Sequence, residues 1–153
     1  MTAPVVHAQE RVAFLGLSLL DTSLQTTELG RDPAELRRLD MLEQMIADRF
    51  QAEGFVLLDL APAQVEIDRH VNLAKCYGCD ARIAQTLGAD FVLVVEVQKT
   101  SNLIIAMNLQ LRDAQTGQTQ RGGVADIRGN TDESWARGMR YILKNRMFPA
   151  QTK

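Results

Sequence analysis

The sequence predicts one α/β domain with a mixed sheet of about five strands and with helices packed mainly on one face. Three observations lead to this fold class. The chain has 153 residues, which suits a single domain. Its first half alternates strand-like and helix-like segments, and its second half has consecutive strand-like segments before a closing helix, which gives the order β-α-β-α-α-β-β-β-α. We expect the domain to span residues 11–148, between a flexible tail or signal-peptide remnant at 1–10 and a flexible tail at 149–153.

The first half begins with a buried strand and a long amphipathic helix. Arg11 to Leu20 is short and apolar, as a strand would be, and the polar residues 21–32 are predicted as a loop. Asp32 and Pro33 favour a helix start, and Gly54 favours its end. The apolar residues between them recur every three or four positions and share one helix face: Leu36, Leu39, Leu42, Met45, Ile46 and Phe50.

Two short helices and two strands are predicted next. Phe55 to Leu60 is predicted as a strand, and helices are expected from Ala63 to Leu73 and from Ala81 to Leu87. Residues 90–98 are almost continuously apolar. That pattern is typical of a strand covered on both faces, so we expect this strand to be central.

The second half is predicted as an antiparallel meander that ends in a helix. Apolar and polar residues alternate from Leu103 to Asp113, which is the period of a strand. A turn ending at Gly117 then leads into a weaker strand from Gln118 to Arg128. The last helix is expected to start at a capping run and to end at Pro149. Its inner face is predicted to consist of Trp135, Met139, Ile142 and Leu143.

Charge and hydropathy exclude two classes of protein. The formal net charge is −2 and the basic residues are interspersed with acids, so the sequence has no basic stripe of the kind that binds nucleic acid. No apolar run approaches the roughly 20 residues that a membrane-spanning helix needs. The longest, from Phe91 to Val97, has the length of a strand and contains Glu96. We therefore expect no nucleic-acid partner and no transmembrane segment.

The amino terminus indicates export. Val6-His7-Ala8 has small or moderate residues where a signal peptidase reads them, with cleavage before Gln9. The basic and apolar parts of a signal peptide do not precede it, and the alternative is a plain flexible tail. We expect a periplasmic protein, because the two cysteines also suit an oxidising compartment.

Cys76 and Cys79 form the only motif that carries chemistry. A structural disulfide is the leading interpretation, and three alternatives stay open: thiol-disulfide exchange, metal binding and free thiols. For exchange, Cys79 precedes a short helix and Lys75 lies close in sequence. For a metal, the candidate ligands are His70, Cys76 and Cys79, joined by Asp68 or Asp80, while His7 lies in the tail. These ligands fall short of a complete set of four, so we expect no metal.

Glu96 stands out because it lies in an otherwise apolar strand. A buried carboxylate costs several kcal/mol unless it is paired, so Glu96 is either a general acid or base or a semi-exposed residue. We favour the second, with a hairpin at 99–102 that pairs Glu96 with Ala106. The polar residues of the two strands would then share one face of the sheet, which is a candidate contact surface for a partner: Glu96, Gln98, Asn108, Gln110 and Arg112. The strand from Gln118 to Arg128 would be a second contact surface if it lies at an edge.

The sequence has no recognisable catalytic set. With two histidines, one of them in the tail, no Ser-His-Asp arrangement can be assembled. Neither a Walker loop nor GxGxxG occurs, and Gly122-Gly123 indicates a bulge or a close approach. We expect no catalytic residues and no cofactor. The prediction is a non-catalytic accessory or binding module.

Two stretches carry a resemblance to known proteins: GADFVLVVEVQKTSNLIIAMNLQLRDAQTGQ and DIRGNTDESWARGMRYIL. They resemble a bacterial family of secreted proteins of unknown function, over Arg11 to Met147. More distantly, the chain is similar to the amino-terminal domain of the Tol-system β-propeller protein and to the curli-secretion lipoprotein domain. These resemblances imply an envelope protein that binds another envelope protein or itself, with homo-oligomerisation left open. They also imply, as an alternative, an accessory role beside a periplasmic quinoprotein dehydrogenase system.

Overall fold

The computed structural model describes residues 9–30, 32–70, 72–76 and 78–149. Its strands are β1 (Arg11–Asp21), β2 (Val56–Leu57), β3 (Phe91–Ser101), β4 (Ile104–Asp113) and β5 (Thr119–Ile127). Its α-helices are α1 (Leu24–Leu29), α2 (Pro33–Ala52), α3 (Gln64–Asp68), α4 (Cys79–Thr86) and α5 (Asp132–Ile142). Short 3₁₀ turns lie at Ala61–Ala63 and Leu73–Lys75, and one π-helical turn, Leu143–Met147, follows α5. No helix within these ranges is long and apolar enough to span a bilayer.

The five strands form one mixed sheet in the order β2-β1-β3-β4-β5. β1 pairs in parallel with β2 and β3, whereas β3, β4 and β5 pair antiparallel. The predicted single α/β domain with a five-stranded mixed sheet is therefore confirmed. β3 lies in the middle of the sheet and β5 lies at an edge.

The two long helices share one face of the sheet, which we call the first face. α2 and α5 pack there over a core that includes Trp135, Phe50 and Leu109, all fully buried. α3 and α4 cover part of the opposite, second face with a smaller cluster around Ile83 and Val94. β3 contributes side chains to both clusters, which explains its nearly continuous apolar sequence.

Three local predictions need correction. The predicted loop at 21–32 contains α1, because the Ser23 side chain caps a short helix. β2 has two residues rather than the six predicted, and it pairs only with the start of β1. Glu96 pairs with Asn108, not with Ala106. The error of two residues leaves every side chain on its predicted face, because successive side chains in a strand alternate.

A buried group of charges joins α1 and α2 to the end of the sheet. Lys99 Nζ lies 3.0 Å from Glu35 Oε1 and 3.9 Å from Asp21 Oδ2, and all three side chains are almost fully buried. Glu35 Oε2 has no hydrogen-bond partner among the described residues. Burial acts to raise the pKa of Asp21, but hydrogen bonds from Ser23 and Thr26, together with Lys99, outweigh it and hold that pKa below its ordinary value. Lys99 therefore faces two carboxylates, Asp21 at the end of β1 and Glu35 in the first turn of α2.

Candidate functional site

The second face of the sheet divides into a covered half and an open half. Val92 and Val94 lie in the covered half under α4. Beyond them lie Glu96, Gln98 and Asn108 of the predicted polar contact face, whereas Gln110 and Arg112 lie beside Val94 and Val92. Glu96 and Gln98 on β3 lie beside Asn108 and Ala106 on β4, and the same face of β4 continues through Gln110 and Arg112. The structure thus brings all five predicted residues onto one face of two neighbouring strands.

Glu96 lies at the border between these halves and is held by the segment before α4. Its side chain accepts a hydrogen bond from the Asn72 amide, and Lys75 Nζ lies 3.2 Å from its Oε1. Glu96 is 7% exposed, so the expectation of a semi-exposed residue is wrong. The physical reason is that the 3₁₀ turn at Leu73–Lys75 folds over the strand and supplies both partners. A carboxylate that is already paired in this way is poorly placed to act as a general base.

Arg112 ties the same segment to β4. Its Nη1 donates to Asp80 Oδ2 at 2.7 Å, and its Nη2 donates to the Ala74 carbonyl at 3.1 Å. Gln110 accepts a further bond from Nε at 2.9 Å. Asp80 is 2% exposed and depends on Arg112 for its charge partner. Residues 72–76 and 78–80 are therefore fixed to the sheet by two ion pairs, Lys75–Glu96 and Asp80–Arg112, in each of which the carboxylate is buried.

A small cavity of 140 Å³ lies between this segment and the sheet. It is lined by Ala74, Lys75, Val94, Glu96, Asn108, Gln110 and Arg112. Ligand pockets for small molecules usually measure about 300–1,000 Å³, so this one has room only for a few water molecules or a small ion. Its acidic and basic side chains are committed to each other or to the segment above. The arrangement rigidifies the face rather than preparing it for a reaction.

Cys76 and Cys79 are joined by a disulfide, as the sequence predicted, with their Cα atoms 5.4 Å apart. Cys79 begins α4 and is 1% exposed. Exchange chemistry needs an accessible sulfur, and this one is packed in the smaller core cluster. The disulfide closes the segment that Glu96 and Arg112 hold, so it supports the border of the open half.

The other candidate metal ligands each have a partner of their own, which for Asp80 is Arg112. His70 Nε2 lies 3.4 Å from Glu66 Oε1, and Asp68 accepts a hydrogen bond from Gln64. In the disulfide form the two sulfurs are not thiolate ligands. Within the described ranges, no group of three or more histidine, cysteine or acidic side chains is placed to hold a metal ion. His7, together with the cleavage pattern Val6-His7-Ala8, lies outside the described residues.

Replacing both cysteines by alanine is expected to lower the free energy of unfolding by about 2 kcal/mol. The loop closed by the disulfide is very short, so the entropic part of the effect is near the low end of the usual range. Urea unfolding followed by fluorescence of the single tryptophan, Trp135, measures the change. Unchanged stability, or two alkylatable thiols in the protein purified without reductant, would contradict the structural role of Cys76 and Cys79.

The open half also exposes three apolar residues, of which only Val124 belongs to a segment that the sequence predicted as a contact surface, the strand at 118–128. Leu20, Ile104 and Val124 are 38%, 48% and 54% exposed, and all three point from the second face. Leu20 was expected to be part of a buried strand. The signal for Val124 was present, since the register of β4 and β5 places it beside Asn108. Asn72 and Lys75, which hold Glu96, had no such signal because they come from a segment distant in sequence.

A shallow groove runs along the open half over β4 and β5. It has a volume of 370 Å³ and is lined by Asn108, Gln110, Thr119, Gly122, Gly123, Val124 and Arg146. Gly123 also confirms the predicted close approach, because a Cβ there would lie 2.6 Å from the Cβ of Arg146. Gly122 adds no side chain to the groove, which leaves the backbone of the edge strand accessible from this side.

The fold is similar to that of several solved structures. The C-terminal domain of LpoB from Salmonella enterica is 19% identical, with a TM-score of 0.55, over 82% of this chain and 87% of that chain. The same domain from Escherichia coli gives 19% identity and a TM-score of 0.54 with the same coverage. Lipoprotein GNA1162 from Neisseria meningitidis is 15% identical, with a TM-score of 0.52, over 80% of this chain and 82% of that chain. At such identities the similarity shows the fold alone.

No curated protein matches the chain. A model of the DUF3280 family, described as "Protein of unknown function (DUF2380)", matches residues 10–147. This match confirms the resemblance to a family of unknown function. Secretion of its members and the likeness to the Tol and curli domains stay predictions. Because the match covers nearly the whole domain, the chain belongs to the DUF3280 family.

Proposed function

We propose that this protein is a non-catalytic binding module of the bacterial envelope, exported to the periplasm, which recognises another protein through its open sheet half. The observation that carries the proposal is the composition of that surface. Leu20, Ile104 and Val124 are exposed among Gln98 and Asn108, and Val124 lies on β5, the strand at the edge of the sheet. Exposed apolar side chains grouped with polar ones are typical of protein interaction sites.

The charged residues around this surface support binding rather than turnover. Glu96 is paired with Lys75, and Arg112 with Asp80, so both ion pairs hold the surface in place. The groove over β4 and β5 lies next to an edge strand, where an extended segment of a partner gains backbone hydrogen bonds and side-chain contacts together. A protein partner therefore fits this surface better than a small molecule does.

The envelope location is supported by two independent observations. The disulfide between Cys76 and Cys79 suits an oxidising compartment. The similar solved structures include a protein named as a lipoprotein, and a lipoprotein is attached to a membrane surface. The partner we propose is another envelope protein, and self-association is one outcome of the test below.

Site-specific photo-crosslinking in the producing bacterium tests the proposal. A photoreactive residue at position 124 is expected to give one adduct of defined mass, and the same residue at position 65 is expected to give none. Val65 is a suitable control because it is 72% exposed and belongs to α3 on the border of the other, covered half. Substituting Ile104→Lys should abolish the adduct from position 124.

Four results would count against the proposal. Absence of any adduct from position 124, or equal adducts from positions 124 and 65, would contradict recognition through this face. An adduct with twice the mass of the chain would show that the partner is a second copy of this chain rather than another protein. Turnover by the purified protein, abolished by a single substitution, would contradict the non-catalytic role.

Thiol-disulfide exchange is the second candidate function, and one observation favours it. Cys79 begins α4, and the start of a helix is the position at which exchange proteins place a reactive cysteine. The two functions differ in how the disulfide responds to glutathione at physiological concentration. A disulfide that glutathione reduces readily would favour exchange. A disulfide that resists reduction would instead have a structural role.

A further inference from the structure

A large basic cavity lies at the end of the molecule where α2, β5 and the π-helical turn meet. Its volume is 1070 Å³, and its lining includes Arg49, Arg121, Lys144 and Arg146 around the ring of Phe148. The open sheet half is a separate surface, although Arg146 reaches both. The function proposed above does not use this cavity.

The cavity concentrates positive charge on a protein whose formal net charge is −2. Among the residues that the structure describes, four cationic side chains line it together with one carboxylate, Glu53. Glu53 is already paired with Arg49, whose Nη2 lies 3.0 Å from its Oε1. Arg121, Lys144 and Arg146 remain as an excess of positive charge. Such a local excess attracts an anion.

The arginines are held in place before any ligand binds. The guanidinium carbons of Arg49 and Arg121 lie 5.3 and 5.5 Å from the centre of the Phe148 ring, within the range of cation–π contacts. Arg121 Nη1 also donates to the Met147 carbonyl at 2.8 Å. Phe148 itself packs against Phe50, with ring centres 4.9 Å apart. A stacked, anchored guanidinium loses less freedom when it binds an anion than a mobile one does.

Two features of the backbone, a glycine and a π-helical turn, place Arg146 and Lys144 in the lining of the cavity. Arg146 packs against Gly123, where any Cβ would lie 2.6 Å from the Arg146 Cβ, so only glycine allows the contact. Arg146 and Lys144 project from a π-helical turn, a feature that is frequent at functional sites. The turn places both cations beside Arg121 of the neighbouring strand.

We propose that this cavity binds a phosphoryl group. A phosphate carries up to two negative charges and three acceptor oxygens on one atom, which matches several cations better than a single carboxylate does. Arginine guanidinium groups form paired hydrogen bonds with phosphate oxygens. A free phosphate monoester has all of these features, and the phosphodiester in the headgroup of an anionic phospholipid keeps one negative charge and two acceptor oxygens for the same guanidinium groups.

The test uses two probes and the folded chain. Inorganic phosphate is titrated into the protein by calorimetry, and co-sedimentation is measured with vesicles of phosphatidylglycerol mixed with phosphatidylcholine against vesicles of phosphatidylcholine alone. Binding of phosphate identifies a free ester as the source, and binding only to the anionic vesicles identifies a headgroup. Either result supports the proposal, and binding should weaken as salt increases.

Matched variants separate the cavity from diffuse charge. The double variant Lys144→Gln and Arg146→Gln keeps the carbon stem of Arg146 that packs on Gly123, and it should weaken binding at least tenfold. The control Arg128→Gln and Arg140→Gln removes the same charge from two exposed residues that do not line the cavity, and it should change binding less than twofold. Circular dichroism checks that both variants fold. Failure of both probes to bind, or an equal loss in the control, would overturn the proposal and would leave the function of the open sheet half untouched.

Discussion

Replacing Lys99 by methionine is expected to lower the free energy of unfolding by about 3–5 kcal/mol. Lys99 is 2% exposed and supplies the positive charge that faces Glu35 and Asp21. Without it, two buried carboxylates would face each other with no cation among their described neighbours. A buried charge that loses its only partner costs far more than an exposed ion pair contributes.

A second substitution removes one of the buried carboxylates that Lys99→Met leaves without a cation. Combining Lys99→Met with Glu35→Leu should restore most of the lost stability, because replacing a buried ion pair by apolar side chains is often neutral or stabilising. Urea unfolding followed by Trp135 fluorescence gives both values. A loss below about 1 kcal/mol in the single variant, or no recovery in the double variant, would contradict the paired arrangement of Lys99 and Glu35.

Replacing Arg112 by methionine is expected to lower the free energy of unfolding by about 2–4 kcal/mol. Asp80 would remain buried without its partner, and the Ala74 carbonyl would lose a donor. The cost is smaller than for Lys99, because the Arg112 side chain is 19% exposed and water can replace part of its interaction. The loss should be concentrated in the segment that Arg112 anchors. Backbone amides of residues 72–76 and 78–80 should therefore exchange faster with deuterium than in the wild type.

A matched control separates this effect from the loss of one surface charge. Arg137→Met breaks an ion pair with Glu133 in which both side chains are more than two-thirds exposed. It should change stability by no more than about 1 kcal/mol and should leave hydrogen exchange in the Cys76–Cys79 segment unchanged. Equal losses in the two variants, or exchange that increases everywhere in Arg112→Met, would show that Arg112 does not anchor this segment.

The strands and the long helix were predictable because periodicity and caps are local signals. β3 is apolar on both sides and lies between two clusters, and Asp32 with Pro33 begins α2 where expected. Local patterns failed where a few polar contacts decide the structure. α1 depends on the Ser23 cap and on Asp21, which a polar stretch does not reveal. The hairpin register depends on an irregularity between Lys99 and Ser101, which no residue type marks.

The candidate site was predicted in part. Alternation alone placed Gln98, Asn108 and Gln110 on one face, since a strand has a period of two. The sequence could not show that Glu96 is covered, because Asn72 and Lys75 reach it from a segment 24 and 21 residues earlier. Nor could it show that Arg49, Arg121 and Arg146 line one cavity, because they come from three different elements. Pairwise contacts between distant segments arise only from the tertiary fold.

The assembly state of the protein in native envelope extracts tests most directly whether it binds a partner through its open sheet half. The wild-type chain is expected to migrate on a native gel in a complex heavier than a single chain. The double variant Ile104→Lys and Val124→Lys should release it as a monomer, and the control Leu36→Lys and Val65→Lys, at exposed helix positions, should leave the complex intact. A wild-type protein that migrates as a monomer, or a control that dissociates as the double variant does, would contradict binding through the open sheet half.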